Sequence, residues 1–135
     1  MTWPRTLCAT VSIVLLLLTP TRAGADSELT PPPVSYVDVI AYERTLPAET
    51  LIRIAWAGTG QTDRALAIAR RESGLRCNAD NPRSSAAGLF QTLSIHEPRA
   101  RRLGLTWQEI AGPDCLSDVL LAYDMWSDSG WRPWS

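Results

Sequence analysis

Lysine is absent from this chain, and all thirteen basic residues are arginine. Coding bias is enough to account for that, and nothing functional follows from it. Histidine occurs once, at His96, so the few cysteines and a single imidazole reach no ligand set for zinc. The longest largely apolar stretch, Leu7 to Leu18 with Thr10 and Ser12 inside it, has twelve residues, fewer than the roughly twenty that cross a bilayer comfortably. Beyond Arg44 there are no internal repeats and no low-complexity tract.

What the first residues do contain is the order of a targeting segment. Arg5 gives a short positive region, the apolar run follows, and Ala23-Gly24-Ala25 supplies small residues where a signal peptidase reads. Residues 1–25 are therefore expected to be a signal peptide, and the protein to be secreted or held in the cell envelope, with no membrane partner once the segment is removed. Cys8 stands at the front of the run rather than its end, which argues against a lipid-modified cysteine. Removal takes Arg5 and Arg22 and leaves eleven arginines against fourteen acids, a net charge of −3. That balance excludes a nucleic-acid binder.

The remaining 110 residues suffice for one domain with a modest core. Cys77 and Cys115 stay, and an even pair in an exported chain reads as a disulfide. Closing a loop of 39 residues stabilises by about 3.9 kcal/mol in the chain-entropy model.

Residues 26–46 read as a spacer, because Pro31-Pro32-Pro33 favours a stiff, extended connection. Within it, Tyr36 to Arg44 fits either a short strand or one helical turn. The domain is placed at 47–135, and its pattern is mostly α. Pro47 to Ala57 predicts a helix with Leu51, Ile54 and Ala55 as its stripe and Gly58 as its stop. After a short turn, Thr62 is the expected cap of a second helix, in which Ala65, Ile68 and Ala69 recur at i, i+3 and i+4. A last helix over Asp118 to Trp126, capped by Ser117, turns Val119, Ala122, Tyr123 and Trp126 to the core.

Glu72 falls at i+7 on the core-seeking face of the second helix, and Gly74 stops that helix just beyond it. Burial and the negative pole of the helix dipole both favour the protonated carboxyl that a general acid needs. Arg70 and Arg71 oppose this only if they turn toward it, and steps of about 100° per residue place them on other faces. Periodicity alone leaves a solvated surface glutamate as the ordinary alternative.

Residues 76 to 87 are a loop by composition, with Asn78, Asp80, Asn81, Pro82, Ser84 and Ser85. Gly88 would let backbone approach a ligand, and the amide of Gln91 offers a donor and an acceptor to a sugar. A turn glycine and a surface amide are the plain alternative. His96 is assigned no role. Arg99, Arg101 and Arg102 suit either an anionic polymer or a solvated helix face. Tyr123, Trp126 and Trp131 have polar ends and suit either a sugar-stacking groove or the core.

The segment Ala67-Ile-Ala-Arg-Arg-Glu-Ser-Gly-Leu75, followed by Gly88-Leu-Phe-Gln91, resembles the lytic transglycosylase family of the lysozyme-like superfamily. Members carry a catalytic glutamate in a Glu-Ser-Gly motif and, some residues on, a Gly-Leu-Met-Gln motif lining the sugar groove; here Phe90 replaces the methionine. The ending Gly130-Trp131-Arg132-Pro133-Trp134-Ser135 resembles that of small secreted members, a group that includes resuscitation-promoting factors. The resemblance covers about Pro47 to Ser135. It implies a small lysozyme-like helical domain acting on peptidoglycan glycan strands, with Glu72 catalytic and Ser73, Gly88, Leu89, Phe90, Gln91 and Tyr123 binding substrate.

The reaction it implies is cleavage between N-acetylmuramic acid and N-acetylglucosamine, with Glu72 as acid and then base, and no cofactor. A hydrolysing muramidase is the nearest rival and asks for a second carboxylate, for which Asp80, Asp114 and Asp124 are available. A peptidoglycan-binding or envelope-assembly protein without catalysis is the rival from another class. The oligomeric state is open.

Overall fold

The computed structural model describes residues 36–135. The expected signal peptide and most of the expected spacer lie outside the described residues. The fold is mostly helical. Tyr36–Glu43 forms α1, which settles the strand-or-helix ambiguity of that stretch in favour of helix. Just after it, Arg44 pairs with Glu109 Oε1 at 2.9 Å and Asp114 Oδ2 at 2.6 Å, fastening this end of the chain to later elements.

The helix α2, Ala48–Ala55, follows Pro47 and packs against α3, Thr62–Ser73. Its buried face is Ala48, Leu51 and Ile52, continued by Trp56, while Ile54, expected in the stripe, is 57% exposed. The reason lies in Trp56. Ala48, Leu51, Ile52 and Trp56 share one face at i, i+3, i+4 and i+8, and the indole carries far more apolar surface into the core than Ile54 would. Its ring sits 5.7 Å from Phe90, 5.3 Å from Tyr123, 6.0 Å from Trp126 and 5.8 Å from Trp131, centroid to centroid.

In α3 the expected core positions Ala65, Ile68 and Ala69 are buried, joined by Leu66. Thr62 does not cap the helix. It lies inside the first turn, and its hydroxyl donates to the Trp56 carbonyl at 3.1 Å. Gly74 ends the helix in the left-handed conformation, φ 64°, with its N–H on the Arg70 carbonyl.

Two short strands, β1 (Ala86–Ala87) and β2 (Thr92–Leu93), pair antiparallel with Ala86 opposite Leu93 and Ala87 opposite Thr92. Composition rules see the turn residues here and miss the pairing across them. A 3-10 turn at Ser94–His96 leads to α4 (Glu97–Arg102), then α5 (Trp107–Ile110) with a Thr106/Glu109 capping box. The last helix, α6, runs Leu116–Ser129 and packs on α2; a 3-10 turn at Arg132–Trp134 follows.

Ser117, expected as the cap of α6, is instead fully buried in its first turn. Asp114 takes that work, its Oδ1 accepting from the Leu116 N–H at 3.1 Å and the Ser117 N–H at 3.4 Å. The Cys77–Cys115 disulfide, with Cα atoms 4.8 Å apart, ties the loop after α3 to the start of α6. Among the described residues no helix is long and apolar enough to cross a membrane.

Candidate functional site

The hairpin turn between β1 and β2, Gly88 to Gln91, is held from below by a buried acid. Asp118, 0% exposed in the first turn of α6, accepts the Phe90 N–H on Oδ2 at 3.0 Å. Its Oδ1 has no partner among the described residues. Burial pushes its carboxyl up to about 7, against the opposing pull of the Phe90 and Leu89 N–H groups. Nothing in the sequence marks it, since an acid in a first helical turn is ordinarily a surface partner of the helix dipole.

Gly88 answers to the same neighbour. Its φ is 79°, and a Cβ there would meet Asp118 Oδ2 and stand 2.6 Å from the Ile110 carbonyl oxygen. The close approach expected toward a ligand is made to the protein's own interior. Leu89 and Phe90 are likewise fully buried and support the turn from within. Gln91, at φ 50°, spends its amide N–H₂ on the carbonyls of Ala79 at 3.1 Å and Gly88 at 3.0 Å, which leaves Oε1 as an acceptor.

Glu72 lies in the last turn of α3 but at the rim of the buried face, its side chain 26% exposed. The buried position beside it goes to Ser73, whose hydroxyl donates to the Ala69 carbonyl at 3.1 Å and accepts from the Arg76 N–H at 3.2 Å. Ser73 thus closes the helix end with both of these bonds. The expectation that Arg71 turns away is overturned: its Nε and Nη2 donate to Glu72 Oε1 at 2.9 and 2.6 Å. A long, flexible side chain spans the angle between neighbouring positions, and the Trp134 carbonyl, accepting from Nη2 at 2.6 Å, draws the guanidinium across.

Glu72, Arg71 and Gln91 line one cleft of about 360 Å³, together with Leu93, Pro133, Trp134 and Ser135. Sequence reasoning missed Trp134 and Pro133 as walls, although the tail they belong to had been noticed. Trp134 is buried, its Nε1 donating to the Phe90 carbonyl at 2.9 Å, so the tail is bolted to the hairpin turn. Trp131, expected as a groove candidate, is buried, stacks on Trp56 and donates from Nε1 to Gln61 Oε1 at 2.8 Å. Tyr123 is half-buried against Trp56 and Trp126 and is not among the residues lining the cleft.

No second acidic side chain lines this cleft among the described residues. Asp114 is committed to Arg44 and to the start of α6, Asp124 pairs with Arg99 at 3.4 Å, and Asp80 is exposed, its backbone bridged to Ala87. The arginine cluster is a solvated face: Arg99 reaches Asp128 at 2.8 Å and Arg101 reaches Glu97 at 2.6 Å. His96, partly buried, is lowered by desolvation and then by the charge of Arg99. No group of three potential metal ligands occurs among the described residues. Another cleft of about 370 Å³, edged by Arg53, Gly60, Thr62 and Asp63, has no aromatic wall and sits at the α2–α3 connection.

Comparison with family models, with curated proteins and with solved structures gives no match.

Proposed function

We propose that the protein is an exported peptidoglycan-cleaving enzyme, a lytic transglycosylase with a lysozyme-like domain, in which Glu72 is the general acid and base. The observation that carries this reading is Glu72, the one acidic side chain among the described residues to line a cleft that also holds an apolar wall and an amide acceptor. Sugar rings are recognised by that combination of flat apolar surface and fixed polar groups.

Glu72 protonates the oxygen between N-acetylmuramic acid and N-acetylglucosamine, and the bond to the muramoyl C1 breaks as positive charge builds on the ring. The substrate's own N-acetyl oxygen stabilises that charge. The carboxylate then takes the proton of the muramoyl 6-hydroxyl, whose oxygen closes onto C1 as an anhydro ring. One protein carboxyl group suffices for this route. A hydrolysing muramidase would want a second carboxylate across the sugar, and the absence of a second acidic side chain lining the cleft among the described residues favours the transglycosylase.

A second reading is a peptidoglycan-binding protein that performs no chemistry, in which the same cleft, with Glu72 Oε1 paired to Arg71, serves recognition alone. Mass spectrometry of the soluble products from peptidoglycan separates the readings. Anhydro-ended fragments, one water lighter than reducing ends, are expected from the native protein and reduced at least about a hundredfold in Glu72→Gln. Reducing ends would instead mean hydrolysis, and no products from a protein that still binds the polymer would mean a binding module.

A further inference from the structure

We infer that Arg71 is a carboxylate-reading residue, which leaves Glu72 for an acidic group on the muramoyl residue when a glycan strand enters the cleft; the inference rests on the glycan-cleaving reading above. In the present geometry both Arg71 bonds converge on one oxygen of Glu72, Oε1, and Oε2 has no partner among the described residues. A guanidinium is a donor only, so Arg71 can exchange Oε1 for a substrate carboxylate while Oε2 stays available to hold the proton.

The residue is built for that exchange. Its side chain is 59% exposed, it lines the same cleft, and Nη1 has no partner among the described residues. The planar fork binds carboxylates bidentately, and the Trp134 carbonyl gives it a fixed pivot at the base of the cleft. On the substrate side, muramic acid carries a lactyl ether at C3, two carbons from the C1 where Glu72 would act. In a peptide-free strand that group ends in a carboxylate. In a peptide-bearing strand it is an amide, and the nearest carboxylates lie further out on the stem. Exchanging one carboxylate for another at a partly exposed site costs little, so Arg71 can pass from Glu72 to the sugar as the strand binds.

The test uses the whole protein, Arg71→Gln and Arg71→Lys on three substrates: peptide-free strands, peptide-bearing strands, and peptide-free strands with their carboxylates capped as methylamides. For the native protein, capping is expected to lower kcat/KM about tenfold, and in Arg71→Gln the capping effect should vanish, with Arg71→Lys recovering part of it. A preference of the native protein for peptide-free strands, lost in Arg71→Gln, is expected because only there does the lactyl group end in a carboxylate; a native preference for peptide-bearing strands overturns the inference. Equal capping effects in native protein and Arg71→Gln, or none in either, overturn the inference while leaving cleavage intact.

Should no strand be cleaved, the enzyme reading fails and the same comparison is made by strand retention in a pelleting assay. Retention that falls on capping only when Arg71 is present then supports the carboxylate site. Retention indifferent to capping overturns it. Thermal melts of the three proteins check that the exposed substitutions leave the fold intact.

Discussion

Replacing Asp118 by asparagine changes how stability responds to pH more than it changes stability itself. The carboxyl is wholly buried, holds the Phe90 N–H, and carries no ion pair among the described residues, so ionisation inside the fold is opposed chiefly by lost hydration. Its folded value of about 7 stands above the ordinary 3.8. Between those values the unfolded chain has lost this proton and the folded one keeps it. The stabilising contribution is therefore complete below about 3.8 and drains away as pH rises through 7. Each unit in that window removes about 1.4 kcal/mol, and the interval from pH 5 to pH 8 removes about 3 kcal/mol. Asparagine keeps the shape and the acceptor for Phe90 and does not titrate. Urea unfolding of both proteins at pH 5 and pH 8, disulfide intact, should show the variant gaining about 3 kcal/mol on the native protein across that range. In thermal melts the same gain is a relative shift of roughly 15 °C. Parallel curves would mean that Asp118 is ionised throughout, and that its unpartnered Oδ1 is hydrated rather than dry.

Two further substitutions probe the same region. Gly88→Ala forces a Cβ against Asp118 and the Ile110 carbonyl at φ 79°, and should cost about 2–4 kcal/mol in urea unfolding. Trp134→Phe keeps an aromatic wall but leaves the Phe90 carbonyl without its indole donor. It should cost about 1–2 kcal/mol in the same assay, and an unchanged midpoint would show that water replaces the bond.

Much of this arrangement is legible in the sequence. The period of Ala65, Ile68 and Ala69 with Gly74 beyond gives α3 and its end, because local pattern and glycine conformation decide both. The cysteine pair follows from counting. What escaped depends on contacts distant in sequence. Ile54 reads as core until Trp56 is seen to occupy that face, and Asp118 reads as a dipole partner until the hairpin turn is folded over it. Arg71 shows the limit of helical geometry as a guide to side chains. A 100° step separates backbone directions, but the guanidinium travels far enough to join a neighbour, and the carbonyl that recruits it lies 63 residues away.

These long-range contacts form one continuous path. Asp118 holds the Phe90 N–H, the Phe90 carbonyl holds the Trp134 indole, the Trp134 carbonyl holds Arg71, and Arg71 holds Glu72. Of these residues only Arg71 and Glu72 bring exposed or partly exposed side chains to the cleft; the rest of the path is backbone, the buried Asp118 carboxyl and the buried Trp134 ring. The Gly-Leu-Phe-Gln turn therefore acts on the cleft through its backbone, with Leu89 and Phe90 anchoring it, Gly88 making room for the acid beneath, and Gln91 alone facing outward. A methionine and a phenylalanine can exchange at position 90 on this view, since what the site uses is the peptide group there and the volume below it. The Trp134 carbonyl, held through its indole by the turn, thereby sets where the Arg71 guanidinium lies beside Glu72.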